Sequence, residues 1–385
     1  MKVVILSNFF NHHQKPLADA FYKATNGNLL FVETRTMPEE QRLLGYSKYD
    51  EPYVIGYTPE NAADIDRQIM EADAVIFGEA PLSLIKPRLG AGRLTFRDDE
   101  RRYKSIVKYL KYPIYTYNSL FLNRGYLLCS SAFASRDYRL SGMSPSRCFK
   151  WGYFTEFKTH EDINQLIVSK SGNQGGPVSL LWACRMIGWK HPERAIEVAR
   201  RLKADNIAFK LSMVGRGPME KRLKILINKY GLDNDVTLLG AMPPEKVRDY
   251  MEKSDIFLAT SDRNEGWGAT VNESMNSACA IVADSLIGSV PFLVQHEHNG
   301  LIYDSGNVDE LYRLVKRLVL NPQERQRLAR NAYHTIALVW NADCACRNFL
   351  KLVESLADGQ TSPIQYGPGS KASILGHDWL QESTK

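Results

Sequence analysis

DIFLATSDRNEGWGATVNESMNSACAIVA, residues 255–283, is the stretch of sequence that decides the fold. The apolar run that follows Asp255 predicts a short buried parallel strand, and the run from Ala280 predicts another. Between them, a Gly-Trp-Gly turn leads into a predicted helix over 269–278. A glycine turn between a strand and a helix presents free backbone N–H groups and the positive end of the helix dipole. The stretch therefore predicts an anion-binding site.

Two glutamates in this stretch, Glu265 and Glu273, are separated by seven residues. Glu265 lies in the predicted turn and Glu273 about one turn into the predicted helix, so both border the anion site. One carboxylate can contact a polyol beside the anion, and the other can contact a second polyol on its far side. A nucleotide-sugar has this arrangement of sugar, diphosphate and ribose. The alternative is a pair of solvated surface glutamates, which the flanking strands and glycines disfavour.

A second predicted strand-to-helix turn carries two cations. Arg185 and Lys190 flank Gly188 after an apolar run over 178–184, and Pro192 starts the next predicted helix. Residues five apart would diverge on a helix, but they can converge in a turn. Two fixed cations suit a diphosphate, with charge-assisted hydrogen bonds of about 1.5–3 kcal/mol each. A solvated charged loop is the alternative.

Five motifs occur in order between residues 178 and 335: Arg185-x4-Lys190, Val214-Gly-Arg-Gly-Pro218, Leu239-Gly240, Glu265-x7-Glu273 and Asn299-Gly-Leu-Ile-Tyr303. Each motif is weak alone, but all five at family-like spacing are specific. This region resembles the C-terminal domain of glycosyltransferase family 4, whose members are retaining enzymes of GT-B fold.

The resemblance implies roles for individual residues. Arg185 and Lys190 would hold the donor diphosphate. Glu265 would face the transferred sugar, which makes these three the candidate catalytic residues. Glu273 would hydrogen-bond the ribose hydroxyls, and amides at the helix start would cap the distal phosphate. The backbone positions assigned to donor binding are Gly215, Gly240, Gly266, Gly268, Ala269 and Thr270.

The GRGPME segment from Gly215 begins like a dinucleotide-binding fingerprint, but Glu220 occupies the place of its third glycine. A dinucleotide site is therefore disfavoured. Pro218 predicts instead the first residue of a helix over 218–229.

The chain length predicts two domains, because 385 residues suit two units of roughly 100–200 residues each. Strand-like runs alternate with helical patterns in both halves, which predicts doubly wound parallel sheets. With the resemblance, the expected class is α/β of GT-B type: two Rossmann-like domains that face a central cleft. We expect an acceptor-binding domain at 1–157, a polar linker at 158–177, a donor-binding domain at 176–336, a helix at 337–356 that crosses back to the first domain, and a tail at 357–385.

Composition predicts a cytoplasmic protein. No run of 18 apolar residues is present to span a membrane, and the N-terminal residues suggest a strand rather than a signal peptide. The six cysteines are scattered among apolar runs and should be reduced. We expect no metal and no other cofactor, because Arg185, Lys190 and a helix N-terminus supply the positive charge.

Positive charge is concentrated in the first half. Residues 86–150 carry a net formal charge of +10, against +6 for the whole chain. Apolar and aromatic residues alternate with Lys104, Lys108 and Lys111 in a predicted helix over 101–111. This pattern suits a helix at an anionic inner-membrane surface, and it equally suits an ordinary helix with lysines on its wet side. We expect no nucleic-acid partner, because no RNA-binding motif is recognisable.

The acceptor side is less well defined. His12 and His13 follow the first strand, where the loop of a doubly wound sheet borders its ligand site. One of them can orient the acceptor or contact a phosphate, and a turn or surface role is the equally weighted alternative. Many relatives have glycines in this loop and a histidine later in the domain, and this chain departs from both patterns. Arg97 and Glu100, after a strand-like run, are further acceptor-side candidates, and we expect the stretch around them to be exposed.

These observations predict a retaining, hexosyltransferase-type glycosyltransferase. It would transfer a sugar from a nucleoside-diphosphate donor to a hydroxyl of a glycan acceptor, lipid-linked, in bacterial surface polysaccharide assembly. Attack on the front face would suit retention without an enzymic nucleophile, because the leaving phosphate can accept the proton. The alternatives are an epimerase or phosphorylase of the same fold, or a non-catalytic nucleotide-sugar-binding or scaffold subunit at the membrane.

Overall fold

Seven parallel strands form the sheet in the first half of the chain. The computed structural model describes residues 1–38, 49–101 and 123–382. The spatial order is β3-β2-β1-β4-β5-β6-β7. The strands are β1 (Val3–Ser7), β2 (Leu29–Glu33), β3 (Val54–Gly56), β4 (Ala74–Phe77), β5 (Thr95–Asp99), β6 (Tyr126–Cys129) and β7 (Cys148–Lys150), and the helices are α1 (Lys15–Ala24), α2 (Ala62–Glu71), α3 (Lys86–Gly90) and α4 (Ala134–Leu140).

A second sheet of six parallel strands has the order β10-β9-β8-β11-β12-β13. Its central strands are apolar and buried along their whole length, as expected of a sheet covered by helices on both faces. The strands are β8 (Val178–Ala183), β9 (Phe209–Val214), β10 (Val236–Gly240), β11 (Ile256–Ala259), β12 (Ala280–Asp284) and β13 (Leu301–Tyr303). The helices are α5 (Ile163–Ser169), α6 (Pro192–Ala204), α7 (Glu220–Lys229), α8 (Pro244–Lys253), α9 (Ala269–Asn276), α10 (Val290–Leu293), α11 (Val308–Leu320) and α12 (Pro322–Leu338).

The order of the second sheet reverses at β8. The chain runs from β8 outward to β9 and β10 and then returns to β11 on the other side of β8. The carboxyl ends of β8 and β11 are therefore adjacent, and such switch points are where open α/β sheets bind ligands. The loops that follow these strands are the Lys190 loop, residues 184–191, and the Glu265 loop, residues 260–268.

The chain divides into two units, Met1–Glu156 with Val339–Trp379, and Phe157–Leu338 with Leu380–Lys385. Segment 158–177, expected to be a linker, belongs instead to the second unit and contains α5. Lys170 explains the difference, because its buried ammonium donates to three backbone carbonyls. The acceptors are Ser254 O at 2.7 Å, Ser277 O at 2.9 Å and Ala278 O at 2.6 Å.

After α12 the chain returns to the first unit. Helix α13 (Ala342–Ala357) packs on α1, with the rings of Phe349 and Phe21 5.4 Å apart. The segment after it, expected to be a polar tail, pairs with β7: Lys150 N donates to Ser370 O at 2.7 Å. This pairing covers the edge strand of the sheet. Among the described residues, α14 (Trp379–Glu382) is the last helix.

Two details differ from the sequence-based predictions. Helix α7 begins at Glu220 rather than at Pro218. The reason is that Met219 N donates to Met186 O at 3.0 Å, so the turn before the helix is bonded to the Lys190 loop. The predicted helix over 101–111 lies, apart from Arg101, outside the described residues. Within the described ranges, no helix combines the length and apolar character that crossing a bilayer requires.

Candidate active site in the second unit

The Lys190 and Glu265 loops are joined by hydrogen bonds at the carboxyl edge of the second sheet. Asp262 N donates to Trp189 O at 3.0 Å. The hydroxyl of Thr260, at the end of β11, donates to Lys190 O at 2.7 Å. These bonds fix the two loops against each other although they are about 75 positions apart in the chain.

An ion pair between Lys190 and Glu265 lies at the centre of the site. The ammonium of Lys190 donates to Glu265 Oε2, and the two residues are only 8% and 9% exposed. Burial opposes the charge of Lys190, but the acidic neighbours Cys184 and Glu265 outweigh it and raise the lysine pKa. Two predicted catalytic residues are thus in direct contact, which the sequence did not indicate.

Arg185, the other predicted cation, is exposed beside this pair. Its guanidinium carbon lies 6.0 Å from the ring centre of Trp189, and the ammonium of Lys190 lies 4.4 Å from the same ring. In the part of the chain that the structure describes, Arg185 forms no ion pair. Its charge is therefore available to an anion, whereas that of Lys190 is shared with Glu265.

Glycines of the predicted donor site lie directly against the backbone of the Lys190 loop, where a side chain would collide with it. Gly215 has φ +132, and a Cβ atom there would lie 1.8 Å from Cys184 O, so no other residue fits. Gly215 N donates to Gly240 O at 2.8 Å, which ties this turn to β10. Gly217, to which the sequence assigned no role, meets the loop equally closely, because a Cβ there would lie 2.4 Å from Met186 O.

The turn before α9 has the predicted geometry. Gly268 is left-handed, with φ +90, and no side chain caps the helix. A Cβ at Gly268 would lie 3.0 Å from Ile287 and 3.3 Å from Cγ of Glu265, so the glycine leaves room for the glutamate. Gly266 is buried beside it, and the amides of Ala269 and Thr270 open the helix, where backbone donors lack intrahelical partners.

Glu273 is half-buried on α9. Burial raises its pKa to about 7, although Arg248 acts in the opposite direction. Among the described residues its carboxylate has no hydrogen-bond partner. Burial raises the pKa of the Cys184 thiol, Lys190 and a hydrogen bond to Thr270 lower it, and Glu265 and Glu273 raise it. The two glutamates therefore both act electrostatically on Cys184.

Sequence reasoning missed His191 and Asp262. The ring nitrogens of His191 lie 2.9 Å from Glu193 Oε1 and 3.1 Å from Asp262 Oδ2. The only signal in the sequence was position, because His191 follows Lys190 directly and Asp262 precedes Glu265 by three residues.

The acceptor-side candidates lie in the first unit. The rings of His12 and His13 are 3.9 Å apart, and burial together with the charge of His12 lowers the His13 pKa to about 3. Residues 97–100, expected to be exposed, are half-buried, because β5 extends to Asp99, and Arg97 and Glu100 both have partners within the first unit. Arg97 lies 2.8 Å from Asp99, and Glu100 accepts a hydrogen bond from Tyr153 at 2.7 Å.

Comparison with known proteins identifies the region that contains this site. Residues 164–335 match the protein family described as glycosyl transferases group 1. Over 186 residues the chain is 27% identical to the amylovoran biosynthesis glycosyltransferase AmsK of Erwinia amylovora, and the match covers 47% of this chain and 46% of that protein. The chain thus spans about half the length of the curated relatives it matches.

Solved structures resemble almost the whole chain. Anabaena Alr3699/HepE in complex with UDP has a TM-score of 0.69 at 16% identity, covering 93% of this chain and 100% of that one. A glycosyltransferase from Rickettsia africae has a TM-score of 0.65 at 16% identity, covering 93% and 99%. This likeness confirms the predicted fold class, α/β of GT-B type with two parallel-sheet domains.

Proposed function

We propose that this protein is a retaining glycosyltransferase of family 4 that uses a nucleoside-diphosphate sugar as donor and a glycan hydroxyl as acceptor. One observation carries the proposal: Lys190 and Glu265 meet at the sheet switch point, beside the exposed Arg185 and the uncapped start of α9. The match of residues 164–335 to glycosyl transferases group 1 supports it.

Each residue has a distinct task in this proposal. Arg185 and the first amides of α9 bind the diphosphate, because both present positive charge that the protein leaves uncompensated. Lys190 stabilises the leaving phosphate as charge develops on it, and Glu265 keeps that ammonium in place while facing the sugar. Glu273 accepts hydrogen bonds from the ribose hydroxyls.

Retention follows from attack on the face that the leaving group vacates. The acceptor hydroxyl forms its bond to the anomeric carbon as the bond to the diphosphate breaks, and its proton passes to the departing phosphate oxygen. Charge then collects on the diphosphate, where the cations are placed to stabilise it. We expect no metal to be required, since the protein supplies this positive charge itself.

We place the reaction in bacterial surface polysaccharide assembly on the cytoplasmic side, with a lipid-linked glycan as acceptor. The name of the Erwinia amylovora relative supports this assignment, since that protein acts in amylovoran biosynthesis. The +10 charge of residues 86–150 supports peripheral association with the anionic inner face of the membrane.

The test is turnover of nucleotide-sugars by the purified chain in a buffer that contains EDTA. Thermal shift with UDP-, GDP- and dTDP-sugars selects the donor, and proton NMR then follows the anomer that is released to water or to a short acceptor. Retention predicts that the first-formed product keeps the configuration of the donor. An inverted first product would exclude the retaining mechanism, and donor binding with no turnover would indicate a binding or scaffold subunit. Activity that disappears in EDTA and returns with Mg²⁺ would show that a metal carries the charge.

A further inference from the structure

His191 occupies the junction between the Lys190 loop and helix α6. Its backbone is left-handed, with φ +48 and ψ +53, which is uncommon for a residue other than glycine. Such conformations persist where surrounding contacts hold them, and they cluster at functional sites. The imidazole of His191 has a contact on each side of the ring that can hold this conformation in place.

Both ring nitrogens of His191 face carboxylate oxygens. Nδ1 lies 2.9 Å from Glu193 Oε1 on α6, and Nε2 lies 3.1 Å from Asp262 Oδ2 in the Glu265 loop. A neutral imidazole has one N–H donor, whereas an imidazolium has two, and an ionised carboxylate only accepts. Both contacts are therefore hydrogen bonds only when His191 is positively charged.

Asp262 also forms hydrogen bonds within the turn that carries Glu265. Its second carboxylate oxygen, Oδ1, accepts from Asn264 N at 2.8 Å. Its backbone carbonyl accepts from Glu265 N at 3.0 Å. A bond to Asp262 thus fixes the turn that carries Glu265, while His191 itself is adjacent in the chain to Lys190.

We propose that His191 is a positioning residue which, as an imidazolium, ties the Lys190 loop to the Glu265 loop and so sets the geometry of the Lys190–Glu265 ion pair. Loss of the proton removes one of the two hydrogen bonds of the ring and loosens this junction, while the hydrogen bonds of Asp262 N to Trp189 O and of Thr260 to Lys190 O remain. Only the consequence for donor turnover rests on the proposed function, because the tie itself is a property of the free protein.

The charged groups around His191 favour the imidazolium. The hydrogen bond to Glu193 comes first in raising its pKa, Asp262 acts in the same direction, and burial and Arg194 oppose them. Because the folded-state pKa is raised, the charged form persists to higher pH than in an ordinary histidine and is lost as the pH rises through the folded value. The tie is therefore expected to fail on the alkaline side.

NMR of the full-length ¹⁵N-labelled protein tests the tie without any substrate. We expect His191 to titrate with a midpoint above the ordinary value of about 6.5, and both ring nitrogens to be protonated below that midpoint. The side-chain ammonium signal of Lys190, assigned with a Lys190→Arg variant, should be protected from exchange and should broaden as His191 loses its proton. In His191→Gln, whose two N–H donors lie on a single nitrogen and cannot bridge the carboxylates that face opposite ring atoms of the histidine, that signal should be broad at every pH.

His334→Gln is the matched control, because His334 is exposed on α12 in the same unit. It should leave the Lys190 signal and its pH dependence unchanged. A His191 titration midpoint at or below the ordinary value of about 6.5, or a protected Lys190 signal in His191→Gln, would overturn the proposal.

Donor hydrolysis supplies the second measurement. Wild-type kcat should fall through the His191 midpoint, whereas His191→Gln should be about 10-fold slower at neutral pH and flat across that range. A His191→Gln profile with the shape of the wild-type profile would also overturn the proposal. If the wild type turns over no nucleotide-sugar, the proposed function fails, and the NMR measurement alone decides whether the tie exists.

Discussion

The two sheets place charged residues at the same edge, the carboxyl ends of their strands, but they leave those charges in different states. In the second unit, Arg185 has no ion pair and Glu273 no hydrogen-bond partner among the described residues. In the first unit, Arg97 pairs with Asp99 at 2.8 Å, and Glu100 accepts a tyrosine hydroxyl at 2.7 Å. Paired charges hold a fold together, whereas uncompensated ones beside a crevice are free to bind. The difference supports the proposal that the charge-based chemistry belongs to the second unit.

The largest expected effect comes from removing either cation of the second unit, the unpaired Arg185 or Lys190, which is paired with Glu265. Arg185→Ala or Lys190→Ala should lower kcat by about 10²-fold or more, because stabilisation of the leaving diphosphate is strongest in the transition state. Steady-state donor turnover measures the loss.

Lys246→Ala is the matched control for the cation variants. Lys246 is exposed on α8 in the same unit, where it pairs with Asp249 at 3.2 Å. Its activity should stay close to that of the wild type. Near-normal kcat in both cation variants would remove the distinction between the two edges.

In the first unit, we expect the positive charge to act at the protein surface, by attracting an anionic membrane. Each cation near an anionic membrane contributes about 1 kcal/mol, so the loss of three lysine charges on reversal should weaken vesicle binding by about 10²-fold. The three residues, Lys104, Lys108 and Lys111, lie outside the described residues, and the prediction rests on sequence alone. Flotation with anionic vesicles at low and high salt measures the effect, because salt shortens the range of the attraction.

An equal change of charge in the second unit provides the comparison for flotation. The exposed lysines there, changed together to Glu, should leave vesicle binding almost intact; suitable positions are Lys221, Lys224 and Lys246. Equal binding by both triple variants, or none by the wild type, would contradict the membrane interpretation.

Features of the fold and the site that depend on residues close in sequence could be predicted, whereas contacts between residues far apart in sequence could not. Glu265 and Gly268 are close in sequence, so their turn and helix were predictable from spacing alone. The contact between His191 and Asp262 spans 71 positions and depends on the left-handed backbone of His191, which no local pattern indicates. Strands β3 and β7 have three residues each, too few to show an apolar pattern.

The next prediction separates the two glutamates of the second unit. Glu273→Ala should mainly weaken binding of the free nucleoside diphosphate, by about 10-fold. Glu265→Ala should mainly lower kcat with little change in nucleotide affinity. Calorimetry with UDP, alongside kinetics, measures the split. The reverse pattern would mean that the donor lies in the opposite orientation.

The smallest expected effect concerns the stability of the free protein. The pKa of Glu273 is raised from 4.5 to about 7 by burial, so the folded state holds a proton that the unfolded state has lost between these values. Stability must therefore fall as the pH rises through this window, by about 1 kcal/mol once partial exposure of the carboxylate is allowed for. Glu273→Gln removes the penalty and should raise Tm by about 2–4 °C at alkaline pH, with almost no change at about pH 4–5.

Calorimetric melts at both pH values measure this difference, and the exposed Glu161→Gln is the matched control. UDP provides the decisive contrast, because a ligand that binds only the folded state adds its binding free energy to the stability. Since the glutamine cannot accept the ribose hydroxyls as a carboxylate does, UDP should stabilise Glu273→Gln less than the wild type. The expected result is that Glu273→Gln is more stable than the wild type without nucleotide and less stable than the wild type with UDP. That result would show that the Glu273 carboxylate has no partner in the free protein and gains one from the ligand. If Tm does not rise at alkaline pH, Glu273 is already compensated, and the contrast with the paired carboxylates of the first unit fails at that residue.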